Sequence, residues 1–124
     1  MKDFYYRKLD VYNISKQFAI QVYQLLRGYP EYKKYALCDQ MRRAVISIPS
    51  NIAEEAGRMA LKERVHFYDI AYGSLTETLC QLEISKLNYI NDEQFSLMEG
   101  TASRISMTLI ALKKSLQDKI NKQQ

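Results

Sequence analysis

Polar residues that recur along one stretch in the middle of the chain have the side-chain chemistry for directional hydrogen bonds. Their spacing of three or four residues would place them on one face of a helix. Amide, hydroxyl and guanidinium groups suit a fixed hydrogen-bond geometry. An ordinary solvated face, by contrast, carries lysine and glutamate residues without regular spacing. The stretch contains Gln40, Arg43, Ser47, Asn51, Glu54 and Arg58. Three interpretations are open: an ordinary solvent face, a polar network within or between subunits, or a surface for a ligand or RNA.

A second stretch carries two small residues, Gly73 and Ser74, in the interior of a predicted helix. Glycine there costs about 1 kcal/mol relative to alanine. Its small size would permit a close helix crossing or the approach of another backbone. Glu77, one turn further on, could reach an arginine of the first stretch, such as Arg43. If buried, that ion pair would fix geometry more than it would add stability.

The sequence patterns of common catalytic and metal sites are missing. There is no Gly-rich phosphate loop, no Cys-x-x-Cys pair and no His-Glu-x-x-His run. Helical bundles that bind two iron ions need two Glu-x-x-His motifs. This sequence has one, formed by Glu63 and His66. We therefore predict no enzymatic activity, no metal and no cofactor. We expect His66 to lie at the surface or to hydrogen-bond locally near a helix start. We expect Cys38 and Cys80 to be small buried hydrophobic residues.

Tyrosine is abundant, with ten residues against no tryptophan, and it stands beside basic residues at 5–8 and 29–35. Aromatic rings next to cations can stack on bases while the cations contact phosphates. Tyrosine is equally favoured at protein interfaces, so both interpretations are open. The residues that would contact a nucleic acid are Lys33, Lys34, Arg42, Arg58, Lys113 and Lys114.

Helices must position these residues, because apolar residues recur at helical spacing over nearly the whole chain. The predicted helices cover about 9–27, 35–57, 61–87 and 92–120. Short links between them are typical of an all-α, antiparallel up-down-up-down four-helix bundle. Because the sequence shows no linker and no repeat, we expect residues 1–124 to form a single domain.

Two local features of these helices are predictable. Pro49 lies inside the second helix, where it removes an amide donor and clashes with the carbonyl of Val45. This predicts a kink, with a break into two helices as the alternative. Asn91 and Gln94 form a capping-box pattern at the start of the fourth helix.

The third helix has two apolar stripes. Its main stripe contains Tyr68, Ala71, Leu75, Leu79 and Leu82, and the second contains Phe67, Ile70, Ile84 and Leu87. Two apolar faces imply two packing partners, one inside the bundle and one outside it.

The overall composition excludes several classes of protein. With 47% hydrophobic and 26% charged residues, the chain is not disordered or collagen-like. No apolar run approaches the roughly 20 residues that span a bilayer, and residues 1–8 do not resemble a secretory signal. Two cysteines are too few for a disulfide framework. We therefore expect a cytoplasmic protein without a membrane partner.

The net charge is +4, with an excess of bases at 27–62 and an excess of acids at 63–91. Such an uneven distribution of charge along the chain is typical of an oligomer or of a surface that binds nucleic acid.

Residues 40–58 and 70–77 resemble the two motifs of the four-helix-bundle proteins first noticed in intervening sequences of bacterial 23S rRNA genes. Residues 9–12 and the turn at 29–31 also fit. The resemblance implies a ring-like homopentamer with no established enzymatic activity. The family is similar in architecture to the accessory protein of diversity-generating retroelements, a basic pentameric barrel that binds nucleic acid and a reverse transcriptase.

The resemblance also implies which positions matter: Gln40, Arg42, Arg43, Ser47, Asn51, Glu54, Arg58, Gly73, Ser74 and Glu77. Glu55 stands where the family usually has glycine, and Ala60 where it usually has a capping serine or threonine. We therefore expect a more helical link between the second and third helices. Two hypotheses result: a non-enzymatic protein that self-associates, and an accessory protein that binds RNA or another nucleic acid.

Overall fold

The computed structural model of the protein describes residues 4–30 and 34–123, without the side chains of Lys34 and Tyr35. These residues form four α-helices and no strand: α1 (Asp10–Leu26), α2 (Asp39–Ala56), α3 (Leu61–Ser85) and α4 (Asp92–Lys122). A 3₁₀ turn (Tyr5–Lys8) precedes α1, and one turn of π-helix (Lys34–Cys38) leads directly into α2. The predicted all-α fold of four helices is confirmed.

Each helix packs against the next one in the chain, and α1 also packs against α4. This arrangement is compatible with the predicted antiparallel order. The apolar stripes of all four helices meet in one core, because burying them is the main favourable term in folding. The largest fully buried side chains in it include Phe18, Val22, Leu26, Met41, Ile48, Ile52, Leu82, Ile105 and Leu109.

Helix α2 is continuous through Pro49, from Asp39 to Ala56. The alternative of a break into two helices is therefore wrong, and the helix is compatible with the predicted kink. Pro49 is buried on the side of α2 that faces α1. A ring in this position fills space against a neighbouring helix, which offsets part of the missing hydrogen bond.

The start of α4 has the predicted capping box. The backbone N of Gln94 donates to Asn91 Oδ1 at 2.7 Å, and the backbone N of Asn91 donates to Gln94 Oε1 at 2.9 Å. Helix α3 begins without a side-chain cap at Ala60. Residues 57–60 between α2 and α3 are not helical, so the expected helical extension across this link does not occur.

The two cysteines differ in environment. Cys38 is fully buried, as predicted, but Cys80 is exposed. Cys80 stands five residues after the buried Leu75, and five residues of α-helix rotate a side chain by roughly 140° away from the core. Among the described residues, no helix combines the length and hydrophobicity that crossing a membrane requires.

Candidate interaction surface on helices 2 and 3

The centre of the predicted polar face is a hydrogen-bonded network that joins α2 to α3. Ser74 Oγ donates to Ser47 Oγ across the two helices at 2.8 Å. Asn51 Nδ2 donates to Ser47 Oγ at 2.9 Å and to the backbone oxygen of Ser47 at 2.7 Å. All three side chains are half-buried. These three residues are therefore not an ordinary solvent face. They form a network of hydrogen bonds within the chain.

The edge of α3 that faces α2 is lined by small hydroxyl residues. Thr78 Oγ1 donates to the backbone oxygen of Ser74 at 2.8 Å, and Ser85 Oγ donates to that of Gln81 at 2.8 Å. Thr78 and Ser85 are fully buried. A hydroxyl that bonds to the carbonyl four residues back satisfies itself within its own helix. These residues can therefore be buried against α2 without needing a partner there.

Arg58, in the link after α2, contacts both helices. Its Nη2 lies 2.9 Å from Glu54 Oε2, and its guanidinium lies over the ring of Phe67 on α3, 5.0 Å from the ring centroid. Both partners of the ion pair are about half-exposed, and an exposed pair contributes little to stability. The contact with Phe67 covers part of the second apolar stripe of α3.

Gln40, Arg43, Gly73 and Glu77 are exposed. Glu77 Oε1 accepts a hydrogen bond of 3.4 Å from Gln81 Nε2, and the suggested ion pair between Arg43 and Glu77 is not formed among the described residues. Around Gly73, no described atom outside its own stretch of helix lies within 4 Å of the position that a Cβ would take. The close helix crossing considered for Gly73 is therefore not found among the described residues. Gly73 immediately precedes Ser74, and one helical step of about 100° turns it outward.

Apolar side chains beside these exposed polar residues also face outward. Ile70 is 36% exposed, Ile84 is 51% exposed and Leu87 is 78% exposed. Leu87 lies in the turn after α3. Of the second apolar stripe predicted for α3, Ile70 and Ile84 are thus uncovered on the helix by the described part of the chain, whereas Phe67 is half-buried. We call the outward residues of α3, Ile70, Gly73, Glu77 and Ile84, the outer α3 face. Together with Gln40 and Arg43, they form the α2/α3 face.

A buried carboxylate that the sequence did not single out as functional lies at the end of α2. Glu55 is 1% exposed, and its Oε1 accepts a hydrogen bond from Arg64 Nε at 2.7 Å. Tyr68 contributes a further hydrogen bond to Glu55, and burial, that bond and the nearby carboxylate charge raise the pKa of Tyr68. Glu55 follows Ile48 and Ile52 at spacings of four and three, so the pattern already placed it on the core side. The cluster of Glu55, Arg64 and Tyr68 ties the end of α2 to the beginning of α3.

Three of the six residues predicted to contact a nucleic acid are engaged by carboxylates of the same chain. Arg42 Nη1 lies 3.1 Å from Asp39 Oδ1, Lys113 Nζ lies 2.6 Å from Asp69 Oδ1, and Arg58 pairs with Glu54. Lys114 is exposed and forms no ion pair with a described residue. Lys33 and the side chain of Lys34 lie outside the described residues.

His66 is exposed, with its ring 5.6 Å from that of Phe67 between centroids. Within the described residues, no three His, Cys, Asp or Glu side chains converge so that they could hold a metal ion.

Comparison with known proteins identifies the family of the chain. The family described as 23S rRNA-intervening sequence protein matches residues 7–111. The protein belongs to this family. Among solved structures, it is similar to a protein with unknown function from the S23 ribosomal protein family of Bacteroides thetaiotaomicron VPI-5482. The two are 27% identical with a TM-score of 0.76, and the match covers 84% of this chain and 98% of that chain. A search of curated proteins found no match.

The residues of this 23S rRNA-intervening sequence protein that match the family include the whole α2/α3 face and the cluster around Glu55. The match ends within α4, before Lys113 and Lys114. The α2/α3 face is therefore part of the region that this chain shares with its family, whereas the lysines at the end of α4 lie beyond it.

Proposed function

We propose that this 23S rRNA-intervening sequence protein is a non-enzymatic helical bundle that self-associates through the α2/α3 face. The observation that supports this most is the exposed apolar stripe of Ile70, Ile84 and Leu87 beside a polar network already fixed by intrachain hydrogen bonds. Burying an isoleucine or leucine side chain contributes about 1.5–3 kcal/mol. A second copy of the chain would cover this stripe without first having to order the polar residues next to it.

A non-enzymatic, structural role also agrees with the places where polar side chains contact one another. The strongest polar contacts on the described part of the chain, such as that of Glu55 with Arg64, connect helices to one another. We propose five subunits because of the family resemblance, and a cytoplasmic location because of the cysteine usage. Both are parts of the same proposal.

Sedimentation velocity and light scattering of the full chain at increasing concentration test self-association. We expect an oligomer at tens of micromolar, and a monomer under those conditions would refute the proposal. Ile84→Asp should weaken the assembly, because a charge in an apolar contact must be desolvated. Met107→Asp on α4 is the matched control, since Met107 is 71% exposed and lies outside the α2/α3 face; this variant should assemble as the parent does.

A second candidate function, RNA binding, is favoured by the basic end of α4. Lys114, Lys119 and Lys122 are exposed there, with Asp118 as the acid among them. Cations near a helix C-terminus are favourable, and such residues can contact phosphates. Binding of structured RNA should weaken steeply as salt rises, because phosphate contacts release counterions. No binding at low salt would exclude this function.

A further inference from the structure

A groove of about 640 Å³ runs between α1 and α2 on the side of α2 away from α3. Its floor is apolar, with Ala19, Ile20, Ile46, Pro49 and Ala53 along it. Ile20 is 47% exposed and Ile46 is 46% exposed. An apolar floor of this kind remains in contact with water unless another molecule covers it.

The rim of the groove is positively charged. Lys16 and Arg27 contribute to its lining, and none of the described residues that line it is acidic. Lys16 Nζ lies 5.9 Å from the ring centroid of Tyr12, which also lines the groove. The groove therefore suits an apolar helix face that is flanked by acids.

The outer α3 face has this chemistry. Ile70 and Ile84 supply the apolar contacts, with Glu77 between them. Glu63 lies on the same side of α3 as Glu77, because fourteen residues are close to four helical turns. Neither forms an ion pair with a described residue, so both are available to the cations of a groove. The lengths also match. At 1.5 Å per residue, Ile70 to Ile84 spans about 21 Å and Tyr12 to Arg27 about 22 Å.

Gly73 lies at the centre of the outer α3 face. Glycine inside a helix costs about 1 kcal/mol, and no described atom within 4 Å of its missing Cβ explains the absence of a side chain. A helix that docks against α3 would make use of it, because the two backbones can approach closely where there is no Cβ.

We infer that the α1/α2 groove of one copy receives the outer α3 face of a second copy. This inference rests on the proposed self-association and identifies its two surfaces. The groove and the outer α3 face are different surfaces of each chain, so the contact is head-to-tail. Such a contact leaves one surface of each kind free at the two ends of the assembly, so further copies can add until a ring closes or a filament grows. A nucleic acid fits the groove less well, because the floor is apolar and the lining has only two cations.

Complementation between two variants tests the inference. Ile20→Asp damages only the groove, and Gly73→Trp damages only the outer α3 face. Each variant alone should be monomeric at concentrations where the parent assembles. Mixed together, they should form a dimer with one copy of each, because the groove of one and the α3 face of the other are intact. Native mass spectrometry resolves this dimer, since the two variants differ in mass. Met107→Asp is the control and should assemble normally.

Charge reversal gives an independent measurement that does not depend on the packing of either surface. Arg27→Glu and Glu77→Lys should each weaken assembly by about tenfold or more, and combining them in one chain should restore it. Circular dichroism of every variant reports whether the chain is folded. A monomeric parent would refute the self-association proposal itself. A parent that assembles, with folded variants that either all assemble normally or fail to complement each other, would overturn only the assignment of the two surfaces.

Discussion

Arg64 Nε on α3 lies 2.7 Å from Oε1 of Glu55 on α2, and the side chain of Glu55 is 1% exposed whereas that of Arg64 is 31% exposed. The pair thus joins a buried acid to a base that reaches the surface. Taking a carboxylate out of water costs several kcal/mol, which the base and the Tyr68 hydroxyl offset. The contribution of this contact is mainly geometric, because it fixes how α3 leaves the link after α2. It thereby positions both helices of the α2/α3 face.

Replacing the base alone should therefore destabilise the fold. We expect Arg64→Met to lower the free energy of unfolding by about 2–3 kcal/mol, because it leaves a buried charge without its counter-ion. The partial exposure of Arg64 keeps the effect below that of a fully buried pair. Replacing both residues, with Glu55→Leu and Arg64→Met, should recover most of the loss. Urea denaturation of the two variants measures this, and a double variant no more stable than Arg64→Met would contradict it.

The pKa of Tyr68 is raised from its usual 10.0, chiefly by burial and then by the hydrogen bond to Glu55, and burial also raises the pKa of Tyr29. Below pH 10 both the folded and the unfolded chain keep these protons, so stability is unaffected. Above pH 10 the unfolded chain loses them first, and stability should fall by up to about 1.4 kcal/mol per pH unit for each tyrosine. Denaturation between pH 9 and pH 11 measures the slope, which Tyr68→Phe should reduce. An unchanged slope in that variant would show that Tyr68 is not responsible.

The helices were predictable because the periodicity that defines them is local. Every predicted helix has its counterpart, and the capping box at Asn91 follows from residues three positions apart. The ends differ by a few residues at most, except that α2 is preceded by the π-helical turn Lys34–Cys38. The conformation of that turn depends on how the start of α2 packs against the rest of the bundle. The periodic pattern of apolar residues contains no information about this packing.

The candidate site was less predictable, because its geometry depends on how neighbouring helices face each other. The polar repeat indicated that Ser47 and Asn51 share one face of α2, but it could not show that they and Ser74 bond to one another. Of the two roles considered for Gly73, a close helix crossing is not found among the described residues, and the approach of another backbone stays a prediction. The sequence could not separate them, since only the rotation of α3 about its axis decides which side faces outward. Glu55 was missed as a structural partner because its charge argues against burial, although its spacing argues for it.

The bond between Ser74 and Ser47 should couple the two residues energetically. Ser74→Ala should destabilise the fold by about 1 kcal/mol, since Ser47 keeps its bond with Asn51. Ser47→Ala should cost a similar amount, because Asn51 keeps its bond to the backbone oxygen of residue 47. If the hydroxyls interact, the double variant should cost less than the sum of the two single ones. Thermal denaturation of the three variants measures the coupling, and simple additivity would argue against the bond.

Gly73→Ala separates the stability of the single chain from its assembly. Alanine is the better helix former by about 1 kcal/mol, and the space around the new Cβ is open. The variant should therefore unfold at higher denaturant than the parent when both are diluted to the monomer. Gly100→Ala on α4 is the matched control, because Gly100 also lies inside a helix with open space around it. This variant should stabilise the chain to a similar extent.

At high concentration the two variants should differ in assembly, since only the methyl group at residue 73 enters the proposed contact between copies. If both variants assembled equally well, Gly73 would have no part in that contact.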